Sequence, residues 1–405
     1  MDQVPGTPSL LRAINDRTAL QLLSEQGPLT RARLGALTGL SKPTATQLMD
    51  RLEAAGLVEA LPGEGRTARL YRVRPGAAYV AGLDVTPASI RVRLCDLTGE
   101  VIAQTTLVTP RREVKDALDR VREALAEACA AAGIAVARLN RVVIGIGGAP
   151  DPQTGRIRYA PHVPGWHDPN LLPRLRAELT GPGEPNPAVE IENDVNLAAI
   201  AEQALGVTRK CAPLECRDFA VLWIGAGIGA AIVIDGRLHR GFTGGAGEIG
   251  YMPVAGQPAV RHVSRGINGG YQNLAGAPAV LKLARSKGFP GSDAAAALRR
   301  AAGSGAVGTP LLQEVAERLA VGLAPLVTVI DPELIVLTGS MLQAGDEALR
   351  ALVESALYEI VIPRPRLVLS GVAEEPVLTG AIESALAQTK QELFDNTRKG
   401  TARAL

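Results

Sequence analysis

The run Tyr79-Val80-Ala81-Gly82-Leu83-Asp84-Val85 begins a three-stranded β-meander, whose second strand is the alternating segment 90–95. A second meander begins with the apolar residues 219–224, continues through 230–234 and turns at the hairpin signal Asp235-Gly236. The two meanders form an internal repeat. This repeat predicts an α/β chain with an actin-like (ribonuclease H-like), two-lobed kinase fold, in which a ligand lies in the cleft between the lobes.

A separate head precedes the first meander and is closed by Pro75-Gly76. We therefore expect a head of residues 1–76 and a body of residues 77–405. Within the body, lobe 1 is predicted at about 77–190 together with a C-terminal helix, and lobe 2 at about 191–380.

The head has the order of elements of a winged helix-turn-helix. Apolar residues recur at helical spacing over residues 9–26, and Thr30 and Ser41 are placed to cap two further helices, 31–38 and 41–55. Two short strands then flank a glycine-rich basic loop, which predicts a wing. The alternative is a helical protein-interaction module with a charged, solvated face.

In a winged helix-turn-helix the third helix enters the major groove with its N-terminal residues toward the bases. The residues predicted to contact DNA there are Ser41, Lys42, Thr44, Ala45 and Gln47. Four arginines are better placed for phosphates, or for the minor groove in the case of the wing: Arg31, Arg33, Arg66 and Arg69.

Composition narrows the classes of function. The chain has 405 residues and a net charge of +2, and its first 76 residues carry ten basic and seven acidic side chains, the sign expected of a DNA-binding head. Only 3% of residues are aromatic, which argues against single-strand stacking platforms. No signal peptide or membrane-spanning run is evident, and the four scattered cysteines suit reduced thiols in the cytoplasm.

Several motifs together resemble the ROK family (repressors, open reading frames and sugar kinases), in the branch that carries an N-terminal winged helix. The motifs of the body are Glu192-Asn193-Asp194, the Gly-Ala-Gly-Ile-Gly loop at 225–229, Gly247-Glu248-Ile249-Gly250 and the segment 331–339. Those of the head lie at 27–31, 37–44 and 52–58. The resemblance covers roughly residues 9–390.

The resemblance implies a sugar effector bound between the lobes. The effector-binding residues that it implies are Gly147, Asn193, Asp194, Glu248, Tyr251 and Gln272, with Asp194 at the position of a vestigial catalytic base. Carboxylates and amides suit this task because they pair with hydroxyl groups in fixed geometry. Three alternatives stay open: Asp194 as a helix N-cap, Glu248 as a loop carboxylate satisfied by backbone N–H groups, and His162 and Trp166 as packing residues.

The chain departs from the family's kinases at both phosphate loops. After Asp84, Thr86-Pro87 replaces the usual glycines and Ala88-Ser89 replaces Thr-Lys, so one backbone donor is lost and side chains occupy the place of close approach. Ala226 stands where these kinases usually have threonine. We therefore expect no kinase activity and no cofactor.

The family's zinc ligands are also replaced. Tyr251 stands at the usual histidine, and the cysteine-rich run aligns with Val263, Arg265, Gly266, Gly269 and Gly270. Without thiolate or imidazole ligands no metal site is expected, and the Arg261–Gly276 loop is predicted to be held by packing or to be mobile.

These observations predict a sugar- or sugar-phosphate-responsive transcriptional regulator, most simply a repressor of carbohydrate genes. Its expected partners are an inverted-repeat operator in double-stranded DNA and the effector, and the expected assembly is a homodimer or homotetramer without membrane contact. The alternatives are an active sugar kinase with an appended DNA-binding head, and a DNA-binding protein whose body serves only for dimerisation.

Overall fold

The computed structural model describes residues 8–63, 69–110, 116–158, 163, 165–210, 216–261 and 269–396. The head consists of α1 (Pro8–Gln26), β1 (Leu29–Thr30), α2 (Arg31–Thr38), α3 (Lys42–Ala54), β2 (Val58–Pro62) and β3 (Arg69–Val73). The three strands form one sheet in the order β1-β3-β2. Helices α2 and α3 begin at the predicted caps, because Thr30 accepts the N–H of Arg33 and Ser41 that of Thr44. The predicted winged helix-turn-helix is confirmed.

Lobe 1 is built on a five-stranded sheet of order β10-β7-β4-β5-β6. Its elements are β4 (Tyr79–Val85), β5 (Ser89–Asp96), β6 (Val101–Val108), α4 (Ala117–Ala132), β7 (Leu139–Ile146), β8 (Ala149–Pro150), β9 (Ile157–Arg158), α5 (Leu171–Glu178) and β10 (Ala188–Asn193). Strands β4 to β6 are the predicted meander, and β7 and β10 extend the sheet in parallel.

Lobe 2 repeats this plan with the sheet order β13-β12-β11-β14-β15. Its elements are α6 (Asp194–Leu205), β11 (Phe219–Ile224), β12 (Ile228–Ile234), β13 (Arg237–Leu238), α7 (Gly270–Ala275), α8 (Ala277–Ser286), α9 (Ala294–Ala302), α10 (Thr309–Ile330), β14 (Leu334–Thr338), α11 (Ser340–Ile360), β15 (Arg366–Leu369) and, returning to lobe 1, α12 (Pro376–Asn396). A second meander is again extended by two parallel strands. The predicted two-lobed fold is confirmed.

Helices α6 and α12 lie together and join the two lobes. Leu197 of α6 packs with Val143 and with Val377 of α12, whereas Val195 of α6 belongs to the core beneath the lobe 2 sheet. The crossing of the two helices needs Gly380, because a Cβ there would lie 1.8 Å from the Leu197 carbonyl oxygen. The cleft between the lobes is therefore bounded by a helix that contacts both of them.

The head is packed against the body rather than tethered to it. Its core includes Leu97, from the β5–β6 turn, and the partly buried Leu393, near the end of α12. Close to this contact, Arg141 is buried and bonds to Glu190 and to Glu392 of α12. The boundary near residue 76 stays a prediction. The core of the head does not end there, because side chains from beyond residue 76 contribute to it.

None of the helices in the described part of the chain combines the length and the hydropathy needed to cross a bilayer.

Candidate effector cleft and nucleic-acid interface

Three parallel strands end at the same edge of lobe 1, beside the cleft. Val85 of β4 pairs with Ile146 of β7, which in turn pairs with Asn193 of β10. The carboxyl ends of such strands are the usual place for a ligand in an open α/β sheet. The structure thereby brings together Asp84, Gly147 and Asn193, which are far apart in sequence.

Asn193 caps α6 and also connects it to the neighbouring loop. Its Oδ1 accepts the N–H groups of Val195 and Asn196 at 2.9 and 3.0 Å, and its Nδ2 donates to the carbonyl oxygen of Gly148 at 2.9 Å. The N-cap is thus Asn193, and the alternative that assigned this position to Asp194 is wrong. Asp194 is the first residue of the helix.

Asp194 and Glu248 are two partly buried carboxylates close enough to influence each other. Burial, with the charge of Asp194 as the second cause, raises the pKa of Glu248 to about 7. Burial also raises the pKa of Asp194 to about 6, opposed by the Val195 N–H and assisted by the charge of Asp84. Near neutral pH the pair can therefore both donate to and accept from the hydroxyl groups of a sugar.

The carboxylate of Glu248 accepts no hydrogen bond from the described residues. The loop that carries it is fixed by its backbone, since Ala230 N–H donates to the Gly247 carbonyl at 2.8 Å and Ile249 N–H donates to the same oxygen at 2.7 Å. The alternative in which backbone N–H groups satisfy this carboxylate is therefore not what the structure shows. Glu248 is left available to a ligand.

Glu248→Gln should flatten the dependence of stability on pH. The raised pKa means that the folded chain holds this proton more tightly than the unfolded chain, so its contribution is full below pH 4.5 and is lost as pH rises toward 7. After allowance for partial solvent contact, the contribution is about 2 kcal/mol. Chemical denaturation at pH 5 and pH 8 measures it, with Glu347→Gln, an exposed carboxylate of α11, as control. Equal pH dependence in the wild type and Glu248→Gln would contradict this account.

Glu192 joins the end of β10 to the loop after β13. Its carboxylate accepts from the side-chain amide of Asn196 at 2.8 Å and from Nε of Arg240 at 2.5 Å. Arg240 belongs to none of the motifs that are visible in the sequence. Because 48 residues separate it from Glu192, no local pattern connects the two.

Gln272 lies on α7 beside the glycine loop at 225–229. Its Oε1 accepts the Ile228 N–H at 2.9 Å, and its Nε2 lies 3.4 Å from the carbonyl oxygen of Ala226. Its amide is thus already engaged with that loop, and a contact with the effector would use Nε2. Tyr251 ends a short 3-10 turn at Ile249–Tyr251 and is partly exposed. Effector contacts of Tyr251 and Gln272 stay predictions.

The turn that replaces the first phosphate loop satisfies its own polar atoms. Thr86 N–H donates to the Ser89 carbonyl at 2.9 Å, and Ser89 N–H donates to the Thr86 hydroxyl at 3.1 Å. Between them Pro87 has no N–H. This arrangement leaves the Thr86 and Ser89 N–H groups unavailable to a phosphate.

An ion-pair network that the sequence analysis missed lies next to this turn. Arg91 bonds to the buried Asp84 and also reaches Glu375 at 3.2 Å, while Arg93 bonds to Glu375 at 2.5 Å. Burial raises the pKa of Asp84, and the bond from Arg91 opposes that shift. Glu375 directly precedes α12, so the network fixes the start of the helix that reaches the head.

The segment aligned with the family's zinc ligands is only partly described. Val263, Arg265 and Gly266 lie outside the described residues, as does His162. Gly270 begins helix α7, so the predicted Arg261–Gly276 loop contains a helical turn. Within the described ranges, no group of three or more His, Cys, Asp or Glu side chains could hold a metal ion. Trp166 is buried in the core of lobe 1, as the packing alternative expected.

The start of α3 presents a polar surface to solvent. Ser41, Lys42, Thr44 and Gln47 are all exposed, and the hydroxyls of Ser41 and Thr44 lie 2.8 Å apart. Ala45 is different, because it is only 1% exposed and faces Gly35 of α2. The predicted contact between Ala45 and a base is therefore corrected: its methyl group packs the helix-turn-helix core.

The predicted phosphate-binding arginines divide into two kinds. Arg31 stacks on the Tyr71 ring at 5.0 Å and pairs with Asp50 at 2.6 Å, so it is held within the head. Arg33 and Arg69 are exposed and form no ion pair with the described residues. Arg66 lies outside those residues.

Comparison with known proteins agrees with this architecture. The ROK family model matches residues 80–389 and a MarR family model matches residues 15–67. The chain is 25% identical to the xylose repressor of Caldicellulosiruptor bescii over 94% of this chain and 98% of that one. It is 23% identical to the DNA-binding transcriptional dual regulator NagC of Escherichia coli over 87% and 86% of the two chains.

A solved structure extends the similarity to three dimensions. A ROK family transcriptional regulator, described as a homologue of the E. coli MLC protein, superposes with a TM-score of 0.74 at 20% identity and covers 96% of this chain and 100% of its own. At that identity the likeness concerns the fold. Since the family model covers most of the body and a winged helix precedes it, the chain belongs to the ROK family.

Proposed function

We propose that this chain is a sugar-responsive DNA-binding transcriptional regulator, most simply a repressor of carbohydrate metabolism or transport genes. The observation that carries the proposal is a head with an exposed recognition helix, packed on a body whose cleft holds the unpartnered carboxylate of Glu248. The relatives named as repressors support the same function.

We also propose that this chain does not catalyse phosphoryl transfer. That reaction depends on the positioning and charge stabilisation of the phosphates. Two features support this proposal: the self-satisfied turn from Thr86 to Ser89, and the commitment of Asp84 to Arg91. Because the family also contains kinases and Asp194 is retained, this point has its own test. An assay with ATP and a panel of hexoses should show no turnover. Turnover that disappears in Asp194→Asn would establish the kinase alternative.

The proposed regulator acts in the cytoplasm as a homodimer or homotetramer on an inverted repeat, without a cofactor. Sugar binding would close the cleft and move the two heads out of register with the operator. Such coupling is reciprocal, so operator DNA should weaken sugar binding by the same factor by which sugar weakens DNA binding.

A gel shift on the chain's own promoter region, titrated with sugars and sugar phosphates, tests the proposed function. Release of the DNA by one ligand is the expected result, and Asn193→Ala and Glu248→Ala should prevent it. DNA binding that no ligand changes would favour a body that serves only for dimerisation.

A further inference from the structure

In the part of the chain that the structure describes, the carboxylates at the edge of the cleft outnumber the cations. Three of these carboxylates influence one another electrostatically: Asp84 acts on Asp194, and Asp194 acts on Glu248. Among the described residues, the cations bonded to carboxylates at this edge are Arg91, on Asp84, and Arg240, on Glu192. The positive charge of each arginine is already balanced by its carboxylate partner.

The side chain of Arg91 is also shared with a second acid. Its other terminal nitrogen reaches Glu375, which accepts from Arg93 and, at 3.0 Å, from the side-chain amide of Gln104. Release of Arg91 toward a new anion would leave the buried Asp84 without its partner, which is costly.

Backbone donors near the cleft are occupied as well. A helix N-terminus ordinarily attracts anions, but at α6 the N–H groups of Val195 and Asn196 already donate to Asn193. In the glycine loop, Gly225 N–H donates to the Gly227 carbonyl and Ile228 N–H to Gln272. None of these four groups is free to bind a phosphate oxygen.

We propose that the effector of this chain is a sugar without a phosphate or other anionic group, and that the carboxylates of the cleft exclude sugar phosphates. This inference rests on the proposed function and narrows its ligand class. A phosphate dianion would meet the carboxylates of Asp194 and Glu248 in a partly buried setting that strengthens repulsion. Among the described residues, the arginines at this edge already pair with acids, and the backbone donors named above are occupied. A neutral sugar needs only the paired donors and acceptors of Asp194 and Glu248.

Calorimetric titration of the full chain with matched pairs tests the inference: glucose, mannose and N-acetylglucosamine, each against its own 6-phosphate. For the pair whose neutral member binds, the phosphate should bind at least about 100-fold more weakly. Asp84→Asn removes one negative charge and frees one bond of Arg91, so it should reduce that ratio to about 10-fold. Asp116, which precedes α4, forms a comparable pair with Arg174 of α5. Asp116→Asn breaks that pair and should leave the ratio unchanged.

The outcomes separate the two proposals. A sugar phosphate that binds as tightly as its neutral partner, or more tightly, would overturn this inference and leave the sugar-responsive function in place. A ratio that Asp84→Asn does not alter would also overturn the assigned cause. Binding of no sugar and no sugar phosphate would overturn the proposed function itself, and the inference with it.

Discussion

Gly247→Ala is expected to abolish the response to sugar while the head still binds DNA. Gly247 has φ +92°, a conformation that costs an alanine about 1–2 kcal/mol. Moreover, a Cβ there would lie 1.9 Å from the Ala230 carbonyl oxygen, which belongs to the β12 backbone and cannot rotate away. The loop must therefore move, and Glu248 moves with it. Sugar-dependent release of DNA in a gel shift and thermal unfolding together measure the effect.

Gly256→Ala is the matched control. Gly256 has φ +75°, but a Cβ there would have no atom within 4 Å, so this variant carries the conformational cost without the collision. It should lose a little stability and keep its response to sugar. If the two variants behaved alike, the collision with Ala230 would not be the reason for the glycine at position 247.

The second large effect is expected at the exposed start of α3. Gln47→Ala should weaken binding to the operator by about 1–3 kcal/mol and relax specificity at one base pair, because glutamine can pair with an adenine through two hydrogen bonds. Lys42→Ala should weaken binding to all sequences and reduce the dependence on salt by about one counterion if this lysine contacts a phosphate. Fluorescence anisotropy at several salt concentrations distinguishes the two effects.

Arg72→Ala provides the control for the head. Arg72 lies on β3 of the same sheet and pairs with Glu59 at 2.7 Å, so its charge is already balanced. It should change neither affinity nor salt dependence appreciably. If Gln47→Ala reduced affinity equally for the operator and for unrelated DNA, base recognition by this residue would be ruled out.

Local signals in the sequence were enough to predict the helices of the head and the two meanders. The caps at Thr30 and Ser41 could be predicted because an N-cap bond spans only three residues. The two meanders could be predicted for the same reason, since each is formed by neighbouring segments. The same sequence pattern did not identify Ala45 as buried, because burial on one side of a short helix depends on Gly35 in another helix. The assignment of the α6 cap failed by one residue, since Asn193 and Asp194 are both good caps.

The interactions that sequence could not predict are those between distant segments. Arg91 and Glu375 are 284 residues apart, and an arginine at an alternating position of a strand has the pattern of an ordinary solvated residue. The availability of Glu248 also depends on where the backbone donors of its loop are directed. Motif resemblance predicted which residues bind the effector, but it did not show which of them are already bonded to other partners.

The contact of Leu393 with the head has a consequence for how the protein is made. The head is synthesised before the body, yet one side chain packed against its core lies on α12, the last of the described helices. Domains usually fold in the order of synthesis, but here the head reaches its final packing only after the body has been translated as far as α12. A chain cut short within lobe 2 would therefore carry a head with an incomplete core, and prematurely terminated products would be poor competitors for the operator.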